Sequence, residues 1–266
     1  MNAVTPTGVN LYYEEHGAGE PACILVPGFA ADAGFWAGVV PALAEERRVL
    51  VLDPRGAGRS DIPDIAYALG DLAQDVLAVL RAADTGPVDV VGHSFGGLVA
   101  ARLAAEEPSG VRSVVLFNPF LRLPLGARLA LTAAGMFYRS DPLPMREMAT
   151  ALLPWLYSWR FLEEWLPELI RVSVENPHPQ PQIGFERQLA ALVDADASAW
   201  ARRVGVPALV VAGERDLMVP PAVAAAVAAE LPRADLVTVA GAGHCSPVEQ
   251  PQECARIVLD FLAEGQ

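Results

Sequence analysis

The chain contains no lysine; all 19 of its basic residues are arginine. That excludes a lysine Schiff base, pyridoxal phosphate chemistry and the lysine of a Walker A loop. Cysteine is scarce. The three present (Cys23, Cys245, Cys254) are odd in number, scattered and without zinc-ligand spacing. They form no disulfide framework and point to a reducing, cytoplasmic setting. No apolar run reaches the roughly 18 residues of a membrane span. The opening Met1-Asn2-Ala3-Val4-Thr5-Pro6 lacks the charged and apolar regions of a secretion signal. Positive charge is in deficit, with 32 acidic residues and a net charge of −13. Such a chain, without a basic patch, is not built to bind nucleic acid or an anionic membrane.

What is present is largely apolar. Hydrophobic residues make up 53% of 266 and charged residues 19%. That allows one α/β domain with a large core and an insertion. Short apolar runs at Ala22 to Val26, Val49 to Leu52, Val88 to Val91 and Val111 to Phe117 read as buried strands. Helical spacing separates them over 35–45, 69–83 and 98–106. Strand–helix alternation with continuous apolar strands predicts a mostly parallel sheet with helices on both faces. An opening edge strand is expected at Val9 to Glu15.

Between residues 120 and 200 the rhythm changes. No clear strand is present, and Pro142, Pro154, Pro167 and the cluster from Pro177 to Pro181 are expected to break the helices. Aromatic residues concentrate here. Phe137, Trp155 and Trp159 are candidates to face a bound substrate. The alternation resumes with a strand at Ala208 to Ala212, a helix from Val219 to Glu230, a strand at Leu236 to Val239 and a closing helix from Pro251 to Ala263.

The stretch Gly92-His93-Ser94-Phe95-Gly96-Gly97 follows one strand and opens a helix. G-x-S-x-G in that setting is a nucleophile elbow. Gly92 and Gly96 leave room for the turn, and the Phe95 N–H lies at a helix N-terminus. A serine hydroxyl needs a base, and the base needs an orienting acid. Asp216 and His244 follow two later strands, so Ser, Asp and His come in that order beyond strand ends. Glu214 is a rival acid two residues from Asp216. Asn118, after the strand before the insertion, is neutral and fills that role poorly. Of the other histidines, His93 is read as packing or as support behind the site, pointing away from Ser94, His16 as a surface residue and His178 as a structural residue in a proline-rich turn. Asp53 is expected to tie down its loop through Arg55.

With Gly213-Glu214-Arg215-Asp216, Gly241-Ala242-Gly243-His244 and Asp53-Pro54-Arg55-Gly56-Ala57-Gly58-Arg59-Ser60 added, the chain resembles the α/β-hydrolase superfamily over nearly its whole length. Within it, the chain is most similar to small bacterial carboxylesterases, enol-lactonases and aminoacrylate-type hydrolases. The resemblance implies a core of residues 1–119 and 201–266, a helical cap over 120–200, a serine nucleophile and no cofactor. It places Ser94, Asp216 and His244 as the triad, with the N–H groups of Phe29 and Phe95 as the oxyanion hole. Pro27 stands where the family often has histidine, which leaves the Phe29 amide intact. The implied reaction is hydrolysis, through an acyl-enzyme, of carboxylic esters or lactones of small to medium hydrophobic small-molecule substrates. A carbon–carbon hydrolase, a thioesterase and a non-catalytic ligand receptor of the same fold remain open. Arginines in the insertion (Arg122, Arg128, Arg139, Arg146, Arg160, Arg171) leave an acidic substrate open as well.

Overall fold

The computed structural model describes residues 1–264. Its centre is an eight-stranded sheet of β1 (Asn2–Val4), β2 (Asn10–His16), β3 (Cys23–Val26), β4 (Val49–Leu52), β5 (Val88–His93), β6 (Val111–Phe117), β7 (Ala208–Gly213) and β8 (Ala234–Val239). The order is β1-β2-β4-β3-β5-β6-β7-β8. β1 and β2 pair antiparallel, and all pairs from β4 onward are parallel.

Successive strand side chains point to opposite faces, so the apolar runs feed two cores at once. Ile24, Val26, Leu50, Val90 and Val114 pack beneath α2 (Leu69–Ala82), α3 (Phe95–Glu106) and α8 (Pro221–Glu230). Cys23, Leu25, Val49, Val51, Val91 and Val115 pack against α1 (Val40–Ala44) and α10 (Pro251–Glu264). Each fully buried aliphatic side chain contributes about 1.5–3 kcal/mol. All three cysteines are unpaired and buried. Burial pushes the Cys23 and Cys254 thiols up to about 12.

The structure departs from the sequence expectations at several places. The helix expected over 35–45 is divided into a tight turn at Ala33–Trp36 and the short α1. Asp32 caps the turn by accepting the Gly34 N–H at 2.9 Å. Pro41, in the first turn of α1, has no N–H to continue it. The strand β1 and the short α9 (Ser246–Glu249) carry too few residues to show a period.

Between β6 and β7 lie α4 (Leu125–Phe137), α5 (Met145–Leu156), α6 (Trp159–Val174) and α7 (Gln182–Asp194). Pro154 and Pro167 lie inside α5 and α6 rather than breaking them. A proline removes one helical hydrogen bond. The apolar contacts of Ala149 and Leu153 with Leu162, Leu169 and Ile170 offset that loss. The Ser158 hydroxyl also caps α6, accepting from the Phe161 N–H at 3.3 Å. No helix among the described residues is long and apolar enough to cross a membrane.

Candidate active site

Ser94 stands between β5 and α3 with φ 52° and ψ −116°. A non-glycine residue there costs about 1–3 kcal/mol and persists only where its surroundings over-determine it. They do. The Ser94 N–H donates to Phe117 O at 2.8 Å, and Ser94 O accepts from the Gly97 N–H at 2.9 Å. A Cβ on Gly92 would lie 2.3 Å from Gly96 O, and one on Gly96 2.3 Å from Val26 O. Both contacts are with backbone, so neither position admits a side chain. The Phe95 amide is among those a helix leaves without an intrahelical acceptor.

His244 lies in the loop after β8, and its Nδ1 is 2.7 Å from Asp216 Oδ2. The other Asp216 oxygen accepts the Val219 N–H at 2.8 Å. Both side chains are buried. Glu214 turns elsewhere, accepting the Gly241 N–H at 2.8 Å in an exposed position. Asn118 does not act on the imidazole. It donates to the His244 carbonyl and accepts from the Gly213 N–H at 2.7 Å, which joins two loops.

Ser94, His244 and Phe29 share the wall of a cavity of about 280 Å³. Its apolar surface includes Leu131, Met148, Leu152, Leu153, Phe185 and Met218, and Ser173, Asn176 and Gln180 add neutral polar groups. Phe137, Trp155 and Trp159 do not line it. On α5 the lining stripe runs Met148, Leu152, Leu156, at the four-residue spacing of one helix face. Trp155 falls beside that stripe and packs on the main core instead. Phe137 packs on a separate cluster around Tyr138 and Phe185. Trp159 points outward, 72% exposed. None of the six insertion arginines, nor any other ionised Asp, Glu or Arg among the described residues, reaches the cavity wall. Arg122 pairs with Asp196 at 2.6 Å and Arg171 with Glu168 at 2.6 Å.

The family model for the alpha/beta hydrolase fold matches residues 21–251. The chain belongs to the α/β-hydrolase fold family. It is 33% identical over 266 residues to the Variovorax paradoxus (strain S110) protein named "Putative carbamate hydrolase RutD", covering 95% of this chain and 96% of that one. Among solved structures it is similar to the enol-lactonase from Burkholderia xenovorans LB400, with TM-score 0.89, 27% identity and coverage of 99% of this chain and 100% of that one. It is also similar to a hydrolase from Pseudomonas aeruginosa PA01, with TM-score 0.88, 31% identity and coverage of 98% and 97%.

In this α/β hydrolase, two side chains sit differently from their sequence expectations. His93 does not point away from the site. It lines the cavity, stacks on Phe35 at 4.4 Å and approaches the His244 ring at 4.7 Å. Its Nε2 is 2.9 Å from the His244 carbonyl oxygen, which can only accept, so Nε2 carries the proton. Burial, with the His244 ring adding to it, holds the His93 imidazole well below its usual range. Asp53 pairs with Arg59 at 2.8 Å rather than with Arg55. Arg55 reaches Asp75 instead, at 2.5 and 2.6 Å. Near neighbours in sequence suggested the first pairing, whereas the second needs α2 in place. Among the described residues no cluster of His, Cys, Asp and Glu could hold a metal ion.

Proposed function

We propose that this α/β hydrolase cleaves small, uncharged carboxylic esters or lactones through an acyl-enzyme on Ser94, with residues 120–200 acting as a cap that shapes the substrate cavity. The observation that carries this reading is the His244–Asp216 pair at 2.7 Å, beside a strained Ser94, at the wall of an apolar cavity. Asp216 fixes the Nδ1–H tautomer, which leaves Nε2 as the base. As the Ser94 Oγ attacks the carbonyl carbon, its proton passes to His244 Nε2. The carbonyl π-electrons move onto oxygen, which takes hydrogen bonds from the Phe29 and Phe95 amides in this reading. Collapse expels the alkoxide, protonated by His244. Water, deprotonated by His244, then releases the acid and restores Ser94.

The absence of ionised side chains from the wall supports a neutral substrate over an acidic one. The RutD relatives' named activity, carbamate hydrolysis, attacks the same kind of carbonyl. A neutral carbamate ester suits this cavity, while a free carbamate anion would find no cation there.

The test is a series of p-nitrophenyl esters and simple lactones with the wild type and Ser94→Ala. Loss of about 10³-fold or more in turnover is expected for the variant. Undiminished activity in a folded Ser94→Ala protein would remove the serine from the mechanism. Tight binding without turnover in the wild type would favour a receptor.

A further inference from the structure

Helix α7 approaches the core at a place the acyl-transfer steps above do not use. A Cβ on Gly184 would lie 2.2 Å from Gly56 O, so only glycine lets the helix come this close. Two α7 side chains three residues apart share the face that results. Phe185 meets the Phe29 ring edge-on, with centroids 4.9 Å apart. Gln188, only 1% exposed, accepts the Ala30 N–H through Oε1 at 3.1 Å. The same Oε1 accepts from Gln180 Nε2 at 3.0 Å, and Gln188 Nε2 donates to Arg55 O at 2.7 Å. The insertion therefore holds the side chain of Phe29 and the amide of the next residue. Ala30 has φ 58°, a conformation a non-glycine residue keeps only where its partners enforce it.

We propose that Gln188 is a positioning residue that sets the aim of the Phe29 amide from the cap, a role that rests on the acyl-transfer reading above. The Phe29 amide precedes the amide Gln188 holds by one residue. The Phe29 N–H lies in the Gly28–Phe29 peptide, which meets the peptide held by Gln188 at the Phe29 Cα. Releasing the Ala30 N–H therefore frees the Phe29 backbone dihedrals and lets the donor swing away from the developing oxyanion. The ground-state carbonyl, carrying less charge, feels that loss less than the transition state does. The cap of this enzyme would then complete the oxyanion hole as well as shape the cavity.

Gln188→Met removes both hydrogen-bonding functions at similar length, and Gln188→Glu keeps the acceptor. For Gln188→Met we expect kcat to fall by about tenfold to a hundredfold with KM within about twofold. Affinity for a trifluoromethyl ketone, whose adduct with Ser94 carries an oxyanion, should fall by the same factor. Gln188→Glu should restore much of kcat at acidic pH, where a protonated carboxyl can still donate to Arg55 O. Its kcat relative to wild type should then decline as pH rises. Thermal unfolding checks that each variant is folded.

A folded Gln188→Met protein with unchanged kcat, or one in which KM alone rises, overturns the proposal. If the Met variant does not fold, a pH-independent ratio for Gln188→Glu overturns it instead. Ser94→Ala in the same series separates the two failures. Activity surviving in Ser94→Ala refutes the acyl-enzyme itself, while a dead Ser94→Ala beside an unimpaired Gln188→Met refutes only the role of Gln188.

Discussion

Replacing Asp216 by Asn tests the proposed base with little change of shape. Asp216 is held on both sides, by the Val219 N–H at 2.8 Å and by His244 Nδ1 at 2.7 Å. In the variant the Val219 N–H still demands an acceptor, so the amide oxygen stays there. The amide NH₂ then faces Nδ1, and two donors cannot share 2.7 Å. The least costly escape moves the imidazole proton to Nε2, the atom that must receive the serine proton. The base is lost although its ring stays in place, and the carboxylate charge that stabilises the imidazolium is lost as well. Together these are expected to lower kcat by about 10⁴-fold. That equals about 5.5 kcal/mol at 1.36 kcal/mol per power of ten. The assay is initial-rate hydrolysis of a p-nitrophenyl ester, with circular dichroism as the check on folding. Glu214→Gln is the control, because its partners are the Gly241 amide and the exposed Arg215, and it should stay within about threefold. A folded Asp216→Asn protein within about tenfold of wild type would refute the assignment. So would equal losses in the two variants.

Two further outcomes follow from the cavity and its surroundings. Below about pH 6.5 an unfolded chain protonates His93 while the folded one, whose imidazole is held well below that range, does not. The unfolded state then binds more protons, so stability is retained above that pH and falls as pH drops, by up to about 1.4 kcal/mol per pH unit. Denaturant titrations from pH 7 to 5 should show a shallower slope for His93→Gln, and equal slopes would contradict the argument. Ala149 lines the cavity, so Ala149→Phe should shorten the accepted acyl chain, lowering activity on long p-nitrophenyl esters by about tenfold or more while acetate is little affected. A uniform fall at every chain length would place Ala149 outside the acyl site.

The sheet and the ends of its strands were legible because a buried strand must be apolar throughout and its connection must turn. Val49 to Leu52 and Ala208 to Ala212 carry that signal without competition. The order of Ser94, Asp216 and His244 beyond three strand ends was legible for the same reason. The insertion between β6 and β7 was read less well. Pro154 and Pro167 carry a strong local signal for helix breaking, and long-range packing on Leu162 overrides it. The choice of Phe137, Trp155 and Trp159 relied on residue type, whereas the wall is set by which helix face turns inward. Nothing local distinguishes Gln188, whose three partners lie 8, 133 and 158 residues away. His93 was misplaced because its partner is a backbone carbonyl 151 residues distant.

The buried thiols and the missing lysines make the molecule a reporter of its own opening. Amine reagents find no side chain to label, only the terminal amine of Met1, which itself donates to Tyr13 O at 2.7 Å. Thiol reagents meet Cys23 in the centre of the sheet and Cys254 on α10, both fully buried and protonated at neutral pH. Alkylation of either must wait for the fold to open. Cys245 differs in place and not in protonation. Burial pushes its thiol well up too, but it lines the cavity beside His244, so a reagent entering there meets it slowly without unfolding. A small alkylating agent offered to the native protein thus has two routes, through the cavity to Cys245 and through unfolding to Cys23 and Cys254. Peptide mapping of the modified cysteines over time would time entry into the cavity separately from unfolding, with no label introduced by mutation.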